Sequence, residues 1–221
     1  MELAQVDRSI LVVIDLQGKL VEKVHRSPLV LAATHRLLEL AQLFSVPVVL
    51  TEQYPRGLGP THPEIFARFE ALTVPKWRFE KGAFGCFGEP GFQESLAEVR
   101  PGLAPADRQL VVAGIEAHVC VMQTVLEARR LGQSVHLCWE AVSGRGAEHR
   151  QAALERMRQA GAEVSNLESV AFEWARQGPR PVQGDVGHLQ AGADRRRRLI
   201  PASRIRFTRR RRREALRRAP P

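Results

Sequence analysis

The chain has 221 residues, 44% of them apolar, enough to bury one substantial core, so one domain is the default. No apolar run approaches the roughly 20 residues that span a bilayer, and MELAQVDRSILVVIDLQ lacks the basic start and small-residue cleavage site of a secretory signal. The formal charge of +9 is local: 13 of the 33 Lys+Arg lie in Arg195 to Arg218 with one acid, Glu214, and the rest holds 20 basic and 23 acidic residues.

Ser9 to Gln17, SILVVIDLQ, is a β-branched run of the kind buried on both faces of a parallel sheet, and it ends in Asp15 and Gln17. Leu37, Leu38, Ala41 and Phe44 recur at helical spacing, predicting a helix over 29–44. Val46 to Thr51 reads as a second buried strand running into a polar loop, EQYPRGLGPTHPE. A third strand is expected within Leu72 to Phe79, then the loop GAFGCFGEPGF and a helix over Gln93 to Val99. Leu110 to Ala113 forms a fourth strand, broken by Gly114, and a helical period begins at Val119. Ser134 to Trp139 is a fifth strand, Ala147 to Ala160 a helix stopped by Gly161, Ala162 to Ser165 a sixth strand, and Ser169 to Arg176 a closing helix.

Strands alternating with helices predict a doubly wound, three-layer α/β/α sandwich around a mostly parallel six-stranded sheet. Such sheets bind ligands outside the carboxyl ends of their strands, where strand order reverses. Asp15, Gln17, Glu52, Gln53, Glu116 and Cys120 all lie at or just beyond such ends. From Gly178 the composition turns Gly- and Pro-rich and then Arg-rich. The expected domain is therefore 1–177, with 178–221 a tail that does not fold alone.

Three cysteines, Cys86, Cys120 and Cys138, form no C-x-x-C pair, and their odd number argues for a reduced, cytoplasmic protein. Cys138 sits inside an apolar strand and Cys86 in a Gly/Phe-rich loop. Cys120 sits where a strand gives way to a helix, a place expected to lower a thiol's pKa and favour a nucleophilic thiolate. Packing is the usual role of a free cysteine, and that alternative stays open. A nucleophilic thiol needs a base and a stabiliser of charge. His118 is close in sequence, but Asp15 is the better base, because an acid ending a buried strand is costly unless paired. Asp15 could instead cap the next helix. Lys76 and Lys81 compete as the neighbouring cation.

GIEAHVCVMQTVLEARRLG, VVIDLQ, TEQYPRGLGPTHPEI, AVSGR and ALERMRQAGAEVSNLESVAFEW together resemble the isochorismatase-like cysteine hydrolases over roughly residues 8–177. The resemblance implies an Asp–Lys–Cys triad: Asp15 of IDLQ, Cys120 of GIEAHVC, and Lys81 of FEKGAFGCF by an E-K-x-x-F pattern. VPKWRF fits a P-K-x-x-F version and keeps Lys76 as rival. It also implies a non-proline cis peptide at Ile115–Glu116, aiming backbone N–H groups at a substrate oxygen. Nicotinamidases of this superfamily carry an Asp-x-His metal motif after the second strand; TEQYP stands there, so no metal and no cofactor are expected. Isochorismatases proper cleave a vinyl ether without a cysteine nucleophile, so Cys120 points instead to a small amide or carbamoyl substrate. Gln17, Gln53, Tyr54 and Phe84 are the expected pocket residues. Relatives of this kind commonly form homo-oligomers. The competing reading is a catalytically silent binding or scaffold protein that touches nucleic acid through the Arg-rich tail.

Overall fold

The computed structural model describes residues 2–176, so the expected boundary near Gln177 and the Arg-rich tail lie outside the described residues. Six strands form one sheet: β1 (Ser9–Ile14), β2 (Val48–Gln53), β3 (Lys76–Lys81), β4 (Gln109–Gly114), β5 (Ser134–Val142) and β6 (Glu163–Ser165). Their order is β3-β2-β1-β4-β5-β6 and every pairing is parallel. The apolar runs SILVVI and QLVVAG became β1 and β4, the two central strands, buried along their whole length. That is what a strand covered on both faces requires.

The helices are α1 (Gly18–Val21), α2 (Ser27–Phe44), α3 (Pro55–Leu58), α4 (Pro63–Glu70), α5 (Phe92–Val99), α6 (Met122–Arg130), α7 (Ala147–Gln159) and α8 (Leu167–Ala175). One face of the sheet carries α2 and α8, with α4 against α2; the other carries α5, α6 and α7. These are the three layers expected. Trp174 of α8 is fully buried, donates from Nε1 to Ser9 Oγ at 3.0 Å, and stacks obliquely on Phe44 of α2. The last described helix is thereby fixed to the first residue of β1. Among the described residues, no helix is long and apolar enough to cross a membrane.

The chain moves outward from β1 to β2 and β3, then returns to β1's other side as β4. The order therefore reverses between β1 and β4. These two strands run in step, Ser9 against Gln109 through Ile14 against Gly114, so their carboxyl ends leave the sheet level with each other. Gly114 has φ +133°, and a Cβ there would stand 2.1 Å from the Ile14 carbonyl oxygen, so no side chain fits at this crossing.

Two local expectations are corrected. The third strand begins at Lys76 and runs to Lys81, later than Leu72 to Phe79, because KWRFEK is an edge strand with a polar, half-exposed pattern that hides its ends. The loop EQYPRGLGPTHPE contains β2's last two residues and the starts of α3 and α4, each helix opening on a proline in its first turn.

Candidate active site

Immediately past β1, Asp15 adopts φ 51° and is 1% exposed. One carboxylate oxygen accepts a hydrogen bond from Thr51 Oγ1 of β2 at 2.7 Å, and the other lies 2.7 Å from Lys81 Nζ. Asp15 does not cap the following helix; Gln17 holds that position and makes no side-chain cap. Lys81 closes β3, and its side chain is wholly buried. Besides Asp15, its ammonium donates to Gln53 Oε1 at 2.7 Å and to the carbonyls of Ala83 (3.2 Å) and Phe84 (2.9 Å). An ammonium has three protons, and these acceptors engage all of them.

Lys76 stands at the opposite end of the same strand. Its Nζ donates to the carbonyls of Phe69, Glu70 and Leu72, closing the carboxyl end of α4. Five residue steps of strand separate the two lysines by about 16 Å. Of the two, Lys81 is the one beside Asp15.

Cys120 approaches from β4's side of the switch point. The Ile115–Glu116 peptide is cis, and a single π-helical turn, Ala117–Val121, follows before α6 begins. Such turns carry an extra residue and recur at functional sites. The Cys120 thiol, 7% exposed, lies close enough to Asp15 and Lys81 for both charges to act on it. Burial, followed by the Asp15 charge, pushes its pKa up to about 12, against a lowering pull from Lys81. The expectation of a lowered thiol pKa is therefore corrected: desolvation and the Asp15 charge outweigh the pull of Lys81, and the resting sulfur keeps its proton. His118 does not serve Cys120. It stacks on His149 at 4.8 Å, and its Nδ1 lies against Gly144.

The cis peptide is braced from outside. The Ala117 N–H donates to the Ser143 carbonyl at 2.7 Å, and Arg145 grips the Glu116 carboxylate with Nε at 2.7 Å and Nη2 at 3.3 Å. Ser143 and Arg145 come from the AVSGR segment beyond β5.

The expected pocket residues divide. Gln17 is fully buried, and its amide is spent on backbone: Nε2 donates to the Gln53 and Gly59 carbonyls, and Oε1 accepts from the Gln53 N–H. Gln53 holds Lys81 with Oε1 and the Gly82 carbonyl with Nε2. Both are therefore supports of the ion pair, not free pocket groups. Tyr54 and Phe84 are 60% and 57% exposed, on the loops after β2 and β3. Tyr54 lines a cavity of about 350 Å³ with Pro55, Arg56, Glu80, Lys81 and Gly82, and Cys120 is not part of that lining.

Several supports had no sequence signal. Cys86 is fully buried, with its thiol near the Thr51 and Thr124 hydroxyls. Thr124 Oγ1 accepts from the Cys86 N–H at 3.0 Å and donates to the Cys120 carbonyl at 2.7 Å, stitching the loop after β3 to the turn that carries Cys120. Glu89 Oε2 accepts from the N–H groups of Gly82 (2.8 Å) and Ala83 (2.9 Å), and these bonds, Ala83's first, hold its carboxyl below the usual range. Glu52, 1% exposed, accepts both the N–H and hydroxyl of Thr61 and so folds the α3–α4 connection over the site. Among the described residues, no three His, Cys, Asp or Glu side chains gather as a group that could hold a metal ion.

The profile of the Isochorismatase domain family matches residues 9–169. The chain belongs to that family. Isochorismatase domain-containing protein 2 of Macaca fascicularis is 37% identical over 184 residues, covering 82% of this chain and 78% of that protein. The human protein of the same name is 36% identical over 183 residues, with the same coverage. Among solved structures, the MAR1 ribonuclease of Caenorhabditis elegans superposes with a TM-score of 0.74 at 31% identity, covering 85% of this chain and 92% of that one. The YcaC gene product of Escherichia coli, described as an octameric hydrolase of unknown specificity, reaches 0.74 at 24% identity, over 88% of this chain and 98% of its own, and shares the fold.

Proposed function

We propose that this isochorismatase-family chain is a cysteine-dependent hydrolase of a C–N bond in a small amide or carbamoyl compound. The observation that carries the reading is the Cys120 thiol facing an Asp15 carboxylate that is itself paired with Lys81 at 2.7 Å, all three buried at the switch point. A buried ion pair is a weak stabiliser, since apolar replacements of equal volume are often neutral or better. Its position beside a thiol where parallel sheets bind ligands favours chemistry over packing.

In this mechanism Asp15 takes the Cys120 proton as the sulfur attacks the substrate carbonyl. The carbonyl oxygen gains charge, which the backbone N–H groups of Glu116 and Cys120 stabilise; the Ile115 N–H is already donated to the Ile14 carbonyl at 2.9 Å. Asp15 then gives its proton to the departing nitrogen, the C–N bond breaks, and a thioester remains. Water, deprotonated by Asp15, adds to the thioester, and Cys120 leaves with its proton restored. Lys81 holds the Asp15 carboxylate in place at 2.7 Å and stabilises the thiolate as it forms. Its donors are already occupied, so the substrate oxygen falls to the backbone. Because the thiol is protonated until Asp15 acts, reaction depends on the Asp15–Cys120 pair and not on a standing thiolate.

A screen of small amides and carbamoyl compounds with purified protein tests this. Cys120→Ala should abolish turnover, and Asp15→Asn should lower kcat by about 10²–10⁴. Turnover that survives Cys120→Ala on an accepted substrate ends the proposal. A cytoplasmic homo-oligomer acting on a small molecule without a metal completes the reading.

A second reading, a non-catalytic or nucleolytic protein with nucleic acid as partner, is favoured by two observations. A structural relative at 31% identity is named a ribonuclease, and 13 arginines crowd residues 195–218. Labelled RNA incubated with full-length protein, Cys120→Ala and residues 1–177 separates the two. Equal, absent shift and cleavage across all three rejects it.

A further inference from the structure

The exposed edge of β3 is not used by the site. In the ladder with β2, Val48 N–H donates to the Pro75 carbonyl and Tyr54 N–H to the Lys81 carbonyl. Alternation then turns the N–H and C=O groups of Lys76, Arg78 and Glu80 away from the sheet. Among the described residues, none of these groups has a hydrogen-bond partner. The edge also carries Trp77, 43% exposed, and a half-buried Phe79. Open edges of this kind accept another strand.

Which strand it accepts follows from the charges. An antiparallel partner must bring its own outward-facing residues opposite these, so a second copy has few allowed registers. Centred on Trp77, Lys76 meets Arg78. Centred on Arg78, that arginine meets itself, and centred on Glu80, that glutamate meets itself. Centred on Phe79, Arg78 of each strand faces Glu80 of the other, and no like charges stand opposite. The same register sets Phe79 against Phe79 in the close, non-hydrogen-bonded position where aromatic side chains pack. It also sets the partner's Trp77 opposite Lys81, beside the cavity lined by Tyr54, Pro55, Arg56, Glu80, Lys81 and Gly82. Within one chain Arg78 already touches Glu80 at 3.2 Å and the buried Glu52 at 3.2 Å, so its guanidinium lies on the face where the partner's carboxylate would arrive.

We infer that β3 is a self-complementary edge on which a second copy of this chain pairs antiparallel about Phe79, giving one sheet across two protomers and a partner wall to the cavity beside Lys81. The pairing stands on the edge geometry alone and holds whatever the site catalyses.

Light scattering on size-exclusion peaks of the full, nuclease-treated chain tests it. The wild type should run as a dimer or an even assembly. Glu80→Arg makes both cross-strand pairs cationic and Arg78→Glu makes both anionic, so each alone should halve the mass. Mixed in equal amounts, the two variants become complementary to one another and should recover the wild-type mass as a heterodimer. Arg78→Glu also deprives Glu52 of a partner, so its melting is followed by circular dichroism. Glu80→Pro, which removes an outward N–H together with the Glu80 carboxylate, serves as the second variant and should also halve the mass. A monomeric wild type overturns the inference. So does wild-type mass for Glu80→Arg and Glu80→Pro, or single variants that dissociate but fail to recover on mixing.

Discussion

Asp15 was legible in the sequence because an ionisable group ending an apolar strand is costly unless something answers it, and Lys81 and Thr51 do. The family resemblance favoured Lys81 over Lys76, but the residues alone did not decide between them, since both precede a phenylalanine by three residues; the direction of β3 separates them. Gln17 and Gln53 looked like ligand-facing amides, yet backbone groups and Lys81 consume them, a commitment that arises only when β1, β2 and the α3 loop meet. The thiol was misjudged for a similar reason: a helix start can be read from a pattern, whereas desolvation depends on what closes over it. The Asp15–Lys81 pair predicts a cost. Lys81→Met should destabilise the protein by about 3–5 kcal/mol in urea, because it strands a buried carboxylate, and adding Asp15→Asn should recover part of the loss. A Lys81→Met variant as stable as the wild type would contradict the burial described here.

At the scale of elements, the segment from Gly82 to Glu89 acts as a latch. Its carbonyls at Ala83 and Phe84 hold the Lys81 ammonium, and Glu89 holds its N–H groups from the solvent side. Glu89→Gln weakens those two charge-assisted bonds. Amide exchange at Gly82 and Ala83 should then quicken several-fold while β4 amides stay protected. Unchanged exchange at both would show that the carboxylate does not order the turn. The sequence marked this stretch as a loop from its glycines and phenylalanines. It could not mark the latch, which needs Glu89 to fold back seven residues. The π-turn at Ala117–Val121 was likewise invisible, since its apolar spacing reads as an ordinary helix start.

For the whole molecule, alternation of apolar runs and helical periods sufficed to predict three layers and a parallel sheet, because strands buried on both faces leave an unmistakable pattern. The polar edge strand β3 was placed too early along the chain, and the short helices α3 and α4 escaped it. One global property follows from the thiols. Burial pushes Cys86, Cys120 and Cys138 from the ordinary 9.0 to about 12. With folded values above unfolded ones, their stabilising effect is complete below pH 9 and is lost as pH rises toward 12. Urea melts should therefore show lower stability at pH about 10 than at neutrality, and replacing Cys138 with Ala should flatten that slope. A slope that does not change on replacing Cys138 would exclude its thiol as a source.

The strand order has a consequence for how the protein is made. β1 leaves the ribosome early and can pair on one side with β2, which β3 then flanks, but its other edge must wait for β4, and its start waits for Trp174. At roughly 5–20 residues per second, the wait for β4 is on the order of 5–20 s. For that time the most apolar strand of the molecule, the one that ends in the buried aspartate, stands half-paired. The nascent chain is thus most open to mispairing at the strand that delivers Asp15 to the candidate site.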